Sequence, residues 1–175
     1  MSETTPRLTP SEIAQFLRAT TLTLAAELAA ATPAVLAWHP APGEWCVKDV
    51  LGHIIEAERR GFAGRIRIIQ AAADPRLEGW DQNEVARARG DCQRDAGDLL
   101  RELAALRQDS IGLVTSLRDA DLSRGGHHPK VGYLTVADLL NEWVHHDRNH
   151  IKQILANVQA YVWPHMGASQ KFSLP

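Results

Sequence analysis

Apolar residues recur along the N-terminal part of the chain at intervals of three and four positions, the spacing of one face of an α-helix. The run Thr9–Glu12 (TPSE) supplies a helix start, with a capping threonine, a proline suited to the first helical position and a glutamate that completes a capping box. Pro33 ends the segment near Thr32. The apolar face of this predicted helix comprises Ile13, Phe16, Leu17, Leu24 and Leu28.

Three further segments carry the same periodicity. The second predicted helix runs from Cys46 to about Ala73, the third from about Asp91 to Arg118, and the fourth from Thr135 to about Gln159. Their apolar positions are Val47, Val50, Leu51, Ile54, Phe62, Ile66 and Ile69 in the second, Leu99, Leu103, Leu106, Leu113 and Leu117 (with Ser110) in the third, and Val136, Leu140, Trp143, Ile151, Ile154 and Val158 in the fourth.

The segments between these helices are polar and rich in glycine and proline. Two of them, 74–90 and 119–133, are long enough to let the chain cross over instead of turning tightly. No strand-like alternation of convincing length is present. The sequence therefore predicts an all-α, antiparallel four-helix bundle in a single domain, 1–175. Within it we expect residues 1–8 to be flexible and the tail, 160–175, to pack on the bundle.

Composition and charge exclude several classes of protein. The 175 residues carry 19 lysines and arginines against 21 aspartates and glutamates, a net charge of −2. This balance argues against a nucleic-acid partner, which usually requires a basic excess. No secretory signal and no apolar run of about 18 residues is present, so we expect a cytoplasmic protein with no membrane partner. Cys46 and Cys92 are expected to be two reduced thiols.

The eight histidines are the unusual feature of the composition. On a helical wheel of the fourth predicted helix, His146 and His150 share one inner edge, whereas His145 faces solvent. Their spacing, His146-x3-His150, brings two imidazoles close enough to bind one metal ion. On the second predicted helix, His53 lies just beyond the apolar arc, beside the small residue Ala57.

Three imidazoles from two helices, with one coordination position open, form the ligand set of a catalytic type of divalent metal site. Wheel geometry alone leaves the alternative open that these are partly exposed structural histidines. The remaining histidines lie in loops or in the tail and are weaker candidates for metal ligands: His39, His127, His128 and His165.

Two acidic residues also face inward on the wheels. Asp147 is interpreted mainly as an inward salt-bridge partner, with a role beside or on the metal as the alternative. Glu58 needs a cation or a hydrogen bond, because an unpaired buried carboxylate is costly. Its partner is left open between Arg65 on the same helix and a residue on another helix, such as Arg148.

Two stretches resemble signatures of the DinB-like family. Trp45–Arg59 (WCVKDVLGHIIEAER) resembles the family's tryptophan-to-histidine motif, and His146–Ile154 (HDRNHIKQI) resembles its final H-x3-H-x2-Q motif. Leu77–Asp81 (LEGWD) resembles a segment often found in the middle of the family. Together these motifs and the order of the helices cover most of the chain.

The resemblance implies an up-down-down-up bundle with a long crossover connection, and a divalent metal ion, Zn²⁺, Ni²⁺ or similar, held by His53, His146 and His150. Cys46 departs from the family pattern, because it replaces the usual capping serine or threonine and a thiol is a weaker acceptor. We do not interpret Cys46 as a catalytic thiol, because no nearby base is evident in the sequence.

Some members of the wider superfamily are metal-dependent thiol S-transferases. The first hypothesis is therefore a metal-dependent enzyme that transfers a low-molecular-weight thiol or hydrolyses a small-molecule substrate. The alternative is a non-catalytic metal-binding or stress-related binding protein, and a third is a structural dimer module. We also expect a homodimer, because Ala25–Ala31 and Ala71–Ala73 would permit close approach of helices.

Overall fold

The computed structural model describes residues 6–173, and its first helix, α1, comprises Pro10–Ala30. The predicted capping box is present: Thr9 Oγ1 accepts a hydrogen bond from the Glu12 N–H at 3.3 Å, and the Glu12 carboxylate accepts one from the Thr9 N–H at 2.7 Å. A short helix, α2, follows at Pro33–Leu36. Residues 1–5, part of the segment predicted to be flexible, lie outside the described residues.

The second bundle helix is not the continuous α-helix that the periodicity predicts. It consists of α3 (Val47–Glu56), a π-helical turn (Ala57–Phe62) and α4 (Ala63–Ala71). A Cβ at Gly64 would collide with the carbonyl oxygen of Arg59, so the wide turn needs glycine there. A wheel drawn at 100° per residue is therefore wrong beyond Glu56.

The crossover between the second and third bundle helices contains structure that the sequence did not predict. Within the expected polar connection lies α5, Gln82–Arg89, whose first turn is capped by Asp81. A 3₁₀ turn, Asp91–Gln93, follows Gly90, which has a φ of +59°. The third bundle helix, α6, is Ala96–Ser116 and not 91–118, because Asp95 caps it by accepting from the Asp98 N–H at 3.0 Å.

A short β-hairpin is the one addition to the expected all-α architecture among the described residues. After the short helix α7, Asp119–Leu122, the strands β1, Gly125–His128, and β2, Gly132–Thr135, pair antiparallel. Strands of four residues that contain three glycines show no alternation by which the sequence could reveal them. β1 also holds the start of the crossover, since the His127 carbonyl accepts from the Leu77 N–H at 2.8 Å.

The last bundle helix, α8, is Val136–Val162 and ends three residues later than predicted. Thr135 and Asp138 form its capping box. Two 3₁₀ turns follow, Trp163–His165 and Gly167–Phe172. The tail was expected to pack on the bundle, but Phe172 is 92% exposed and its side chain does not pack there. No helix among residues 6–173 is both long and apolar enough to cross a membrane.

Two hydrophobic clusters reveal the directions of the four bundle helices. One cluster joins the start of α1 and the start of α8 to α4 and the end of α6. The other joins the ends of α1 and α8 to α3 and the start of α6. The second and third bundle helices therefore run parallel to each other and opposite to α1 and α8. This is the expected up-down-down-up order, and the crossover 72–95 makes it possible.

Candidate metal centre

Polar side chains form a buried layer between the two hydrophobic clusters. Each bundle helix contributes to this middle layer at the point where its apolar contacts change from one cluster to the other. Such a layer needs internal partners or a bound ion, because burial of unpaired polar groups is unfavourable. Its buried members are Thr20, His53, Glu58, Arg107, Ser110 and Asp147.

Three histidines meet at one side of the middle layer. His53 comes from α3, and His146 and His150 come from successive turns of α8. One nitrogen of each ring lies within 4.8 Å of one nitrogen of each of the others. His53 Nε2 and His146 Nε2 are 3.0 Å apart. The three residues singled out in the sequence therefore converge, while His145 is exposed on the outer face of α8 as expected.

The spacing and orientation of the rings fit a single divalent ion. Two imidazole nitrogens, each about 2.0–2.1 Å from a tetrahedral zinc ion, would be about 3.3 Å apart. His150 Nδ1 lies 2.8 Å from Gln153 Oε1, so Nδ1 carries the proton that it donates and Nε2 keeps a free lone pair. Among the described residues, no carboxylate or thiol joins this group, which leaves a coordination position open.

The protonation of the cluster also suits metal binding. Burial, together with His146 and His150, lowers the pKa of His53 to about 3. Burial and His146 lower the pKa of His150 to about 4, although its hydrogen bond to Gln153 opposes the shift. Both rings are therefore neutral at pH 7, the form in which an imidazole can bind a metal ion.

A buried cluster of charges lies beside the histidines. Arg107 Nη1 is 2.6 Å from Asp147 Oδ2, and Arg107 Nη2 is 2.9 Å from Glu58 Oε2. The salt-bridge interpretation of Asp147 is thus confirmed. Arg148, named as a candidate partner of Glu58, instead donates to the Phe16 carbonyl. Arg65, the other candidate partner of Glu58, donates to the Glu78 carbonyl instead.

The two carboxylates of this charge cluster differ. Burial raises the pKa of Glu58 to about 7, because desolvation outweighs the attraction of Arg107. Burial would also raise the pKa of Asp147, but Arg107 and His146 hold it at about 2. Asp147 Oδ1 lies 3.8 Å from His146 Nδ1, so Asp147 connects the charge cluster to the histidines.

Aromatic rings surround the histidines. Trp45 and Trp80 pack against His53 with ring centroids 5.0 and 5.7 Å away, and Phe62 lies 5.1 Å from His146. Trp45 precedes α3, whereas Trp80 belongs to the crossover, so distant segments build one shell. Such apolar surroundings limit the access of water to the nitrogen atoms.

Two of the three histidines lie at a cleft with a volume of about 1050 Å³. His53 and His146 lie on its wall together with Trp80. Arg65 and Lys130 line the same cleft. A small molecule in this cleft would therefore contact two of the three histidines directly.

Comparison with known proteins identifies the family. The sequence profile of the DinB superfamily matches residues 15–154. The chain belongs to the DinB superfamily. A Bacillus mycoides (strain KBAB4) protein named "putative metal-dependent hydrolase" is 22% identical over 121 residues, which are 69% of each chain. YfiT from Bacillus subtilis, described as a probable metal-dependent hydrolase with an unusual four-helix bundle topology, superposes with a TM-score of 0.82.

The YfiT likeness covers 93% of both chains at 20% sequence identity and confirms the four-helix bundle. The matched range, 15–154, includes both stretches in which the sequence showed the resemblance, Trp45–Arg59 and His146–Ile154. Gln153 thus has a visible role in this chain, since it fixes the tautomer of a histidine.

Arg107 is the residue of the centre that the sequence analysis missed. The signal was present, because Arg107 lies four residues after Leu103 and three before Ser110, inside the stripe of α6 that was taken as apolar. It is 1% exposed, whereas Leu106, which was assigned to the stripe, is only partly buried. An arginine inside an apolar stripe indicates a buried carboxylate partner on a neighbouring helix.

The other histidines and cysteines lie elsewhere. His127 Nε2 is 3.7 Å from Asp74 Oδ1, His128 lines the cleft, and His165 is exposed. Both cysteines are free thiols. The N–H of Cys46 donates to Asp49 Oδ2 at 3.2 Å, so this carboxylate helps to hold the start of α3.

Proposed function

We propose that the protein is a metal-dependent hydrolase whose single divalent ion, Zn²⁺, Ni²⁺ or similar, is held by His53, His146 and His150. The observation that carries this proposal is the convergence of three imidazole nitrogens on one another at the wall of a large cleft. A structural metal site would instead be closed by a fourth protein ligand.

A divalent ion held by three imidazoles with an open position polarises a bound carbonyl or phosphoryl oxygen and lowers the pKa of bound water to about 7. The protein supplies the orientation of the ligands, through Gln153 for His150, and the aromatic shell that excludes bulk water. Arg107 keeps Asp147 ionised beside His146, which strengthens the preference of this side of the centre for positive charge.

Glu142 is the carboxylate best placed to accept a proton from the attacking group. It lies one turn before His146 on α8 and lines the cleft. The other two carboxylates of the cleft, Asp81 and Asp138, accept hydrogen bonds at the starts of α5 and α8. Glu142 makes no hydrogen bond or ion pair with another described residue, so it is available for proton transfer.

The cleft also favours a substrate with an anionic group. Arg65, His128 and Lys130 line it. The guanidinium of Arg65 and the ammonium group of Lys130 place positive charge on this wall, which would attract an anionic group of a substrate. A carboxylate or phosphate group on this wall would leave a neighbouring ester, amide or phosphoester bond facing the histidines.

The test begins with untagged protein, because an affinity tag rich in histidine would load or remove metal. Elemental analysis should find a divalent ion of which about one equivalent is lost when His146 is replaced by alanine. A panel of carboxylate- and phosphate-bearing esters and amides should then reveal metal-dependent hydrolysis that Glu142→Gln slows. The exposed Gln159→Glu variant provides a control for a changed charge on the same helix.

Thiol S-transfer is the other reaction that the sequence analysis considered, and the same open position would suit it. Supplying low-molecular-weight thiols with electrophilic substrates distinguishes the two reactions. Metal binding without turnover in either assay would favour the non-catalytic alternative. The homodimer and the cytoplasmic location stay predictions, which sedimentation at micromolar concentration and fractionation of cells would test.

A further inference from the structure

A second cluster of metal-binding side chains lies outside the cleft. His39, Cys46, Asp49 and Cys92 each place one donor atom within 4.8 Å of those of the other three. None of the four lines the cleft with the histidine centre. They come from three segments far apart in the sequence: the loop after α2, the start of α3 and the 3₁₀ turn of the crossover.

The donor atoms are oriented towards one another. His39 Nδ1 donates to the Glu44 carbonyl at 2.7 Å, so its Nε2 has a free lone pair, and this Nε2 lies 3.3 Å from Cys92 Sγ. A tetrahedral zinc site with Zn–S of about 2.3 Å and Zn–N of about 2.0 Å would place these two atoms about 3.5 Å apart. The hydrogen bond to Glu44 is the kind of outer contact that orients metal-binding histidines.

The remaining two donors stand at the start of α3. Cys46 is fully buried, and its N–H is bonded to Asp49 Oδ2, which fixes the carboxylate near both thiols. Cys92 is partly exposed and His39 is exposed, so an ion can enter from solvent. Two thiols, one imidazole and one carboxylate are a complete set of four ligands for zinc.

We propose that His39, Cys46, Asp49 and Cys92 form a second, structural site for Zn²⁺ or a similar thiophilic divalent ion. Binding replaces the two thiol protons, which are released to solvent, and leaves two thiolates, one carboxylate and one neutral imidazole around the ion. Four protein ligands leave no open position, so this site binds no substrate.

The role of the site follows from the segments that it joins. A bound ion would tie the loop 37–45 and the crossover to the start of α3. Trp45, adjacent to Cys46, packs against His53 with ring centroids 5.0 Å apart. The second site would therefore hold one aromatic wall of the histidine centre in place without contacting its metal.

Cobalt(II) substitution of the untagged, full-length protein tests the proposal, because cobalt bound by thiolate shows an intense charge-transfer band that cobalt bound by histidines alone lacks. The titration is performed on metal-free protein with a non-chelating reductant present. We expect two equivalents of cobalt and the thiolate band in the wild type. His146→Ala should lose one equivalent and keep the band.

Cys92→Ser and His39→Ala should lose or strongly weaken the band while retaining the first equivalent of cobalt. His39 is exposed, so its replacement does not threaten folding, and unchanged circular dichroism checks both variants. His165→Ala, which alters another exposed histidine, should change neither the band nor the stoichiometry.

Two results would overturn the proposal. One is the absence of the thiolate band when reduced wild-type protein is titrated with cobalt. This result would count against the site even if Cys46 and Cys92 form a disulfide in air. The other is a band that survives in Cys92→Ser. Because the band reports only the second site, loss of cobalt from the histidine centre is recognised separately in the His146→Ala arm.

Discussion

Two buried polar clusters lie side by side in the middle layer of the bundle, and their polar groups are partnered in different ways. In the charge cluster, Arg107 is paired with Asp147 at 2.6 Å and with Glu58 at 2.9 Å. In the histidine cluster, the rings of His53 and His146 face each other through Nε2 atoms 3.0 Å apart. Charge in the first cluster is largely neutralised within the protein, whereas lone pairs converge in the second.

The difference indicates which cluster is structural and which is a binding site. The charge cluster contains its own counter-ions, although Glu58 Oε1, Arg107 Nε and Asp147 Oδ1 have no hydrogen-bond partner among the described residues. Loss of one charged partner would leave the others uncompensated in an apolar interior. The histidine cluster has no counter-ion of this kind in the described part of the chain, and it brings one nitrogen of each of its three rings within 4.8 Å of the others. A cation between the rings would convert an unfavourable group of neutral bases into a coordinated one.

Replacement of His146 by alanine should have the largest effect. It removes a central ligand, so the metal content of untagged protein should fall by about one equivalent, the one that the histidine centre binds. His145→Ala is the matched control, because this neighbouring histidine is exposed and should leave occupancy unchanged. Elemental analysis measures both variants, and occupancy lost in His145→Ala but kept in His146→Ala would refute the ligand assignment.

Arg107→Met should destabilise the fold strongly. It leaves Glu58 and Asp147 as unpaired buried carboxylates, and breaking a buried pair in this way costs about 3–5 kcal/mol in the free energy of unfolding. Urea denaturation measures the change. Arg101→Met is the control, because the Arg101 side chain is 73% exposed in its pair with Asp98 and should contribute less than about 1 kcal/mol. Equal effects in the two variants would contradict a structural role for the charge cluster.

The fold was largely predictable because its signals are local. The caps at Thr9 and Thr135 and the helical spacing of apolar residues depend only on neighbours in the sequence, and both caps are present. The π-helical turn at Ala57–Phe62 and the glycine-rich hairpin were missed. Neither alters the apolar pattern enough to be seen, and both depend on packing against distant segments.

The three histidines could be predicted from the sequence, whereas Arg107 was missed. His146 and His150 share a helix edge at a fixed spacing, the wheel of the second predicted helix placed His53 at its edge, and the resemblance selected the same three residues. The position of Arg107 inside the apolar stripe of α6 was visible in the sequence, but its partners Glu58 and Asp147 could be named only from the tertiary structure. The cluster with Cys92 was also invisible, because its residues lie on three segments whose approach no local pattern encodes.

Gln153→Leu should weaken metal binding without abolishing it. Gln153 Oε1 accepts a hydrogen bond from His150 Nδ1 at 2.8 Å, and the loss of such an outer contact reduces metal affinity about 10–100-fold. Competition with a chromophoric chelator measures the affinity. Gln159→Leu makes the same change at an exposed position of α8 and should bind as the wild type does. An unchanged affinity in Gln153→Leu would mean that this hydrogen bond does not orient the ligand.

Acid should lower the free energy of unfolding of the metal-free protein gradually, and the buried ring of His53 should contribute to this loss. We expect this effect to be the smallest of the four. The pKa of His53 is about 3 in the folded protein, chiefly because of burial, against about 6.5 in the unfolded chain. Between these values the unfolded chain binds more protons at this site, so stability is complete above about pH 6.5 and is lost as the pH falls towards 3. The slope from this group reaches at most about 1.4 kcal/mol for each pH unit.

Urea denaturation of chelator-treated protein between pH 7 and 5 should show a shallower slope in His53→Gln than in the wild type, whereas the exposed His165→Gln should keep the wild-type slope. Identical slopes in all three proteins would show that His53 is not buried as a neutral ring, and the contrast between the two clusters would then lose its electrostatic basis.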